Sequence, residues 1–131
     1  MKVALSQISP VWLNKQATLQ KIITEIEKAG SQKSSLVIFG EALLPGYPFW
    51  LAFTGGATFD NPLQKEMFAI YQKNAVDIEA GELKDIQDCC QKNKIATYLG
   101  TIEKSKERSG FTLYCSLVYI NQEGKIQSSH R

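Results

Sequence analysis

The sequence predicts an α/β domain, a mixed sheet with helices on one side. Two observations carry this. First, short apolar runs alternate with segments of helical period: Leu36-Val37-Ile38-Phe39 has strand length, whereas Leu19, Ile22, Ile23 and Ile26 recur on one helix face. Second, the elements follow the order β-α-β-α-α-β-β-β, with helical stretches between the early strands and short turns between the late ones.

Lys2 to Ile8 is mostly apolar and reads as the first strand, broken by Ser9-Pro10. Asn14 suits an N-cap, because its side-chain oxygen can accept from the open first turn of a helix running to about Ala29. Gly30 and the polar stretch Ser31 to Ser35 close that helix. Leu36 to Phe39 reads as a second strand buried on both faces. Asp60 or Asn61 caps a further helix with Pro62 in its first turn, carrying Met67, Phe68, Ile70 and Tyr71 to about Val76. Another helix spans about Gly81 to Lys92, with Leu83, Ile86, Cys89 and Cys90 towards the core. Ile95 to Ile102 is a strand, Lys104 to Arg108 with Gly110 a charged loop, and Phe111 to Ile120 a longer strand. Asn121-Gln122-Glu123-Gly124 reads as a hairpin turn leading into a last strand, Lys125 to His130.

Bulk properties narrow the function. At 131 residues the chain has the length of one domain. Its net charge of +2, with lysines scattered among acids, gives no nucleic-acid footprint. The start, Met1 to Ser6, is too quickly polar for a signal peptide, and no apolar run approaches membrane-spanning length, so a cytoplasmic protein without a membrane partner is expected. Three cysteines, two of them adjacent, make a poor disulfide framework, and one histidine leaves no spaced metal-ligand pairs, so no metal is expected. The paired glycines Gly55-Gly56 lack any phosphate-binding signature and read as loop.

The candidate chemistry lies between Leu36 and Trp50. Glu41 appears where the second strand spills into a loop, and Leu44-Pro45-Gly46-Tyr47 has the residues of a type II turn. Tyr47, Phe49 and Trp50 follow. A carboxylate at a strand's C-terminal end beneath aromatic rings is where an α/β protein places a desolvated base. The three aromatics are candidate substrate-pocket residues, with plain packing as the alternative. Cys115, alternating with Leu113 and Leu117 in a strand, reads as a buried structural thiol.

The stretch from Leu36 to Pro48, a short apolar strand, a glutamate, then a loop closing on Gly46-Tyr47-Pro48, resembles the signature of the nitrilase superfamily, the carbon–nitrogen hydrolases. Phe49-Trp50 is closest to the nitrilase branch. Tyr98 to Glu103 is similar to the family's third strand, Thr112-Leu113-Tyr114-Cys115-Ser116 to its Thr-Leu-Tyr-Asn-Ser stretch, and Gly124 to Arg131 to the approach to its catalytic lysine. Three positions depart from the pattern: Gly40 stands for a usual proline, Lys33 for a common glycine in what reads as an indifferent loop change, and Cys115 for a usual asparagine.

The resemblance implies that residues 1–131 are the N-terminal, incomplete portion of one hydrolase domain, part of an α-β-β-α sandwich. It implies hydrolysis of a small nitrile or amide to a carboxylic acid and ammonia through a cysteine thioimidate and thioester, with Glu41 as general base. The matching lysine and nucleophilic cysteine lie beyond Arg131 in the family's pattern, so this chain is expected to be inactive alone. No cofactor is implied. The implied partners are the small-molecule substrate, a homo-oligomer, and the remainder of the domain if it is a separate chain. The alternative is a non-catalytic, truncated or degenerate paralogue acting as a binding module.

Overall fold

The structure is a computed structural model that describes residues 1–105 and 111–131. Its elements are β1 (Val3–Ser6), α1 (Lys15–Ser31), β2 (Leu36–Phe39), α2 (Trp50–Phe53), α3 (Pro62–Asn74), α4 (Lys84–Asn93), β3 (Ala96–Lys104), β4 (Leu113–Ile120) and β5 (Ile126–His130). The expected order is present with one addition, the single turn α2. Of the expected charged loop, residues 106–110 lie outside the described residues, and Lys104 closes β3.

Local chemistry accounts for the helix starts. Asn14 Oδ1 accepts from Ala17 N at 3.0 Å, and Asn61 Oδ1 accepts from Leu63 N at 2.9 Å with Pro62 at the first helical position. Helix α1 runs two residues past the expected end. Gly30 stays helical because its bare Cα lets α1 lie against Asn93 of α4. The chain then turns through Lys33, whose φ of 59° lies in the left-handed region. The glycine common in the family suits that conformation, so the Lys33 change is not indifferent.

The five strands form one sheet in sequence order. β1–β2 and β2–β3 are parallel, while β3–β4 and β4–β5 are antiparallel. Helices α1 and α4 cover the face that carries Val37, Phe39, Leu99, Val118 and Ile120, and Leu19, Ile22, Ile26, Leu83, Ile86, Cys89 and Cys90 close the core from the helix side. Burial raises both helical thiols, Cys90 to about 12. The opposite face holds one row in register, Leu5, Ile38, Tyr98 and Tyr119, with the two tyrosine rings stacked at 4.7 Å. None of the helices among the described residues is long and apolar enough to cross a membrane.

β2 stops at Phe39 while β3 continues to Lys104, which leaves the far half of β3 without a strand neighbour on that side. Single bridges fill the gap: Leu44 pairs with Thr101, and Val76 with Glu103. A second apolar cluster of Ala42, Trp50, Tyr71, Ala75 and Ile102 forms there, packing α2 and α3 around the end of β3. The candidate chemistry falls on this extension.

Candidate functional site

Glu41 is the second residue after β2, and its backbone is held against β3 by a missing side chain. A Cβ on Gly100 would lie 2.2 Å from Gly40 O, 2.7 Å from Glu41 Cα and 2.9 Å from Ala42 N. Only glycine permits that approach. The loop is then tied down. Leu44 N donates to Gly100 O at 3.3 Å, Ile102 N to Leu44 O at 2.8 Å, and Thr101 Oγ1 to the same carbonyl at 3.0 Å.

The turn differs from the expected one. Its closing hydrogen bond runs from Gly46 N to Ala42 O at 2.9 Å, and the Leu44–Pro45 peptide is cis. Leu44 is engaged by β3 on both its N–H and its carbonyl, so it cannot also close a turn with Tyr47. Gly46 has φ of 123° and lies so close to Trp12 that a Cβ would meet that ring at 2.8 Å. Glycine is required there on both counts.

The aromatics do not act together. Tyr47 and Phe49, both exposed, line a cavity of about 400 Å³ with Glu41, Trp12 and Pro10. Trp12 packs against Phe49 with ring centroids 4.3 Å apart and the planes tilted by 39°, and its Nε1–H donates to Tyr47 O at 3.2 Å. Trp50 is 5% exposed and lines a different cavity, of about 370 Å³, with Tyr71, Phe68, Leu113 and Cys115. Its indole N–H is buried without a partner among the described residues. Tyr71 links the two regions: its ring meets Trp50 edge-on at 4.8 Å, and its hydroxyl donates to Gly46 O at 2.7 Å. Burial pushes that hydroxyl's pKa upward.

Glu41 itself is exposed, which corrects the expectation of a base roofed by its own aromatics. Phe49 packs on Trp12 and Trp50 on Tyr71, so of the three aromatics only Tyr47 and Phe49 share the Glu41 cavity. Cys115 is likewise exposed instead of buried. Strand alternation does place it with Leu113 and Leu117, but on the face that α1 and α4 leave open. Its thiol donates to Glu41 Oε1 at 3.4 Å. Desolvation and the neighbouring carboxylate raise the thiol pKa, opposed by a hydrogen bond with the Ala42 backbone.

A second polar centre lies on the same strands. Glu103, with 9% of its side chain exposed, accepts from Ser116 Oγ at 2.6 Å and from Arg131 Nη2 at 2.8 Å. Arg131 also lies over the Tyr114 ring at 4.4 Å. Burial pushes the Glu103 carboxyl up, but the hydrogen bonds from Arg131 and Ser116 outweigh it and hold the group below the usual carboxylate range. This clamp fixes the end of β5 to β3 and β4.

A sandwich-type α/β layer with a strand-end glutamate pinned across a neighbouring strand defines the class, and comparison with known proteins places the chain within it. The family model for carbon-nitrogen hydrolases matches residues 2–131, and the chain belongs to that family. It is 32% identical over all its residues to an arylacetonitrilase of Aspergillus niger, covering 37% of that protein. It is 30% identical to nitrilase 2 of Arabidopsis thaliana, covering 38%. The chain therefore spans little more than a third of the length of these relatives. Among solved structures, an amidase from Nesterenkonia sp. superposes on the whole chain with a TM-score of 0.67 at 15% identity, over 42% of that protein. That likeness supports the fold.

The sequence singles out Glu41, reads Cys115 as a buried thiol, and gives no role to Gly100 or Trp12, although all three lie around that carboxylate. Gly100 carries a usable signal, a glycine inside a strand. Trp12 carries none, because its role arises from a contact across 35 positions of sequence. Cys115 is visible as a departure from the family pattern, but its contact with Glu41 spans 74 positions.

Proposed function

We propose that this chain supplies the general base of a nitrilase-type hydrolase, with Glu41 in that role and a small nitrile, of the arylacetonitrile kind or an amide, as substrate. One observation carries the reading: Glu41 stands at a strand end, pinned by the Gly100 approach, and opens on an apolar cavity walled by Trp12, Tyr47 and Phe49. The names of the relatives favour a nitrile over an amide.

The chemistry divides into balanced steps. A thiol adds across the nitrile, sulfur to carbon and its proton to nitrogen by way of the base, giving a thioimidate. Water, deprotonated by the base, adds to that carbon, and ammonia leaves to give a thioester. A second water releases the carboxylic acid and regenerates the thiol. Glu41 serves as the proton carrier in each step. Tyr47 and Phe49 are proposed to wall the substrate's side next to Glu41, and Trp50 to wall the neighbouring cavity. The nucleophile and the cation that stabilises developing charge have no family-matched position in residues 1–131. Residues 1–131 are accordingly proposed as one part of a single hydrolase domain, in a protein that self-associates.

The test is ammonia release from phenylacetonitrile by the natural protein that carries this chain, compared with its Glu41→Gln variant. Loss of a general base should lower kcat by about 10²–10⁴-fold with the fold intact. Equal rates in the two proteins would refute the role. The 131-residue chain alone should release no ammonia, and release would show that the chemistry uses other residues.

A further inference from the structure

We propose that Cys115 is a positioning residue for Glu41, holding the carboxylate in one orientation by donating its thiol proton to Oε1. The inference rests on the reading of Glu41 as the base. The Glu41 backbone is clamped on β3, but its side chain is exposed and has several rotatable bonds. A base must keep its oxygen within hydrogen-bond reach of the proton it takes, so something has to select one rotamer. Among the described residues, the hydrogen bond to this carboxylate comes from Cys115 Sγ at 3.4 Å.

The donor is well mounted for the task. Cys115 lies within β4, opposite Ile102 of β3, in a ladder that pairs every residue from Thr97 to Lys104. Its sulfur reaches the loop through the Glu41 carboxylate. Oε1 is held towards β4, and Oε2 is left to exchange protons.

The arrangement also decides what Cys115 does not do. A nucleophilic cysteine needs an electropositive setting that lowers its pKa. Here desolvation and the adjacent carboxylate act the other way, so the sulfur keeps its proton near neutral pH and remains a donor.

Two measurements on the natural protein that carries this chain decide the matter without hydrolysis. Cys89 and Cys90 are buried and Cys115 is exposed, so iodoacetamide labelling of Cys115 is followed by peptide mass spectrometry. Replacing Glu41 by Gln removes the charge beside the thiol. Without that charge the thiol pKa falls and the thiolate fraction rises, partly offset by weaker nucleophilicity, so alkylation at pH 7.5 should speed up about threefold. In parallel, scalar couplings of the Glu41 side chain should report one dominant rotamer in the wild type and in Cys115→Ser, and averaged rotamers in Cys115→Ala. An unchanged alkylation rate in Glu41→Gln, or equal couplings in all three proteins, would overturn the proposal. Thermal unfolding of Cys115→Ser and Cys115→Ala separates loss of positioning from loss of fold.

In the natural protein with phenylacetonitrile, Cys115→Ala should lower kcat about tenfold with KM little changed, and Cys115→Ser should restore it. A wild-type protein that releases no ammonia would remove the hydrolase reading. The alkylation and coupling results would still decide whether the thiol holds the carboxylate.

Discussion

Replacing Gly100 by Ala tests whether the site is built by a backbone crossing. The new Cβ would stand 2.2 Å from Gly40 O, whereas ordinary contact begins at 3.4 Å, so the loop carrying Glu41 must retreat by about 1.2 Å (3.4 − 2.2) or β3 must bow away. Either movement stretches the bond from Leu44 N to Gly100 O, already 3.3 Å long. Overpacking of this kind costs about 1–3 kcal/mol, and a lost backbone hydrogen bond about 1 kcal/mol more. With an m-value of about 2 kcal/mol/M, the urea midpoint should fall by about 1–2 M. Gly40→Ala is the matched control: nothing lies within 4 Å of its Cβ, so its stability should change by less than about 0.5 kcal/mol and its urea midpoint by less than about 0.25 M. The displaced loop should also part Glu41 from Cys115, so that adding Glu41→Gln no longer changes the alkylation rate. Equal midpoints for Gly100→Ala and Gly40→Ala, with the alkylation effect intact, would refute the crossing as the device that sets Glu41.

Two further outcomes follow from the same geometry. Lys33→Gly relieves a left-handed φ of 59°, and after the extra freedom of glycine in the unfolded chain it should stabilise by about 0.5–1 kcal/mol; a lower thermal midpoint would contradict this. Glu103→Gln removes a buried charge that Arg131 and Ser116 satisfy, and at neutral pH should cost about 1–3 kcal/mol. Because the folded carboxyl lies below its unfolded value of about 4.3, the stabilisation is complete above that pH and drains away as pH falls through the lower folded value. Urea midpoints of wild type and variant should stay apart from pH 7 to about 5 and converge in stronger acid; a gap that widens in acid would reverse the assignment.

The elements were legible in the residues because their signals are local. Asn14 and Asn61 mark helix starts through oxygens that reach three and two residues ahead, and Pro62 belongs to a first turn wherever it stands. Ile22, Ile26, Ile86 and Cys90 recur at helical spacing and are fully buried. The single-turn α2 escaped notice because its four residues are held by neighbours more than by propensity: Trp50 packs on Tyr71, and Gln64 Nε2 reaches the Thr54 carbonyl at 2.7 Å.

By itself the sequence determined an α/β layer, the position of Glu41 just past the end of a strand, and the family motif around it; the strand itself is buried on one face, through Val37 and Phe39, and only half-buried on the other. Tertiary structure alone decided what surrounds that carboxylate. β2 ends before β3 does, and the backbone groups left open on β3 draw in Leu44 and Val76; that places Glu41 over Gly100 and beside Cys115. It also sorts the aromatics, with Tyr47 and Phe49 in the Glu41 cavity and Trp50 in the next. A side chain's neighbours across a sheet depend on strand lengths and register, and those are settled when backbone hydrogen bonds between distant segments are satisfied together.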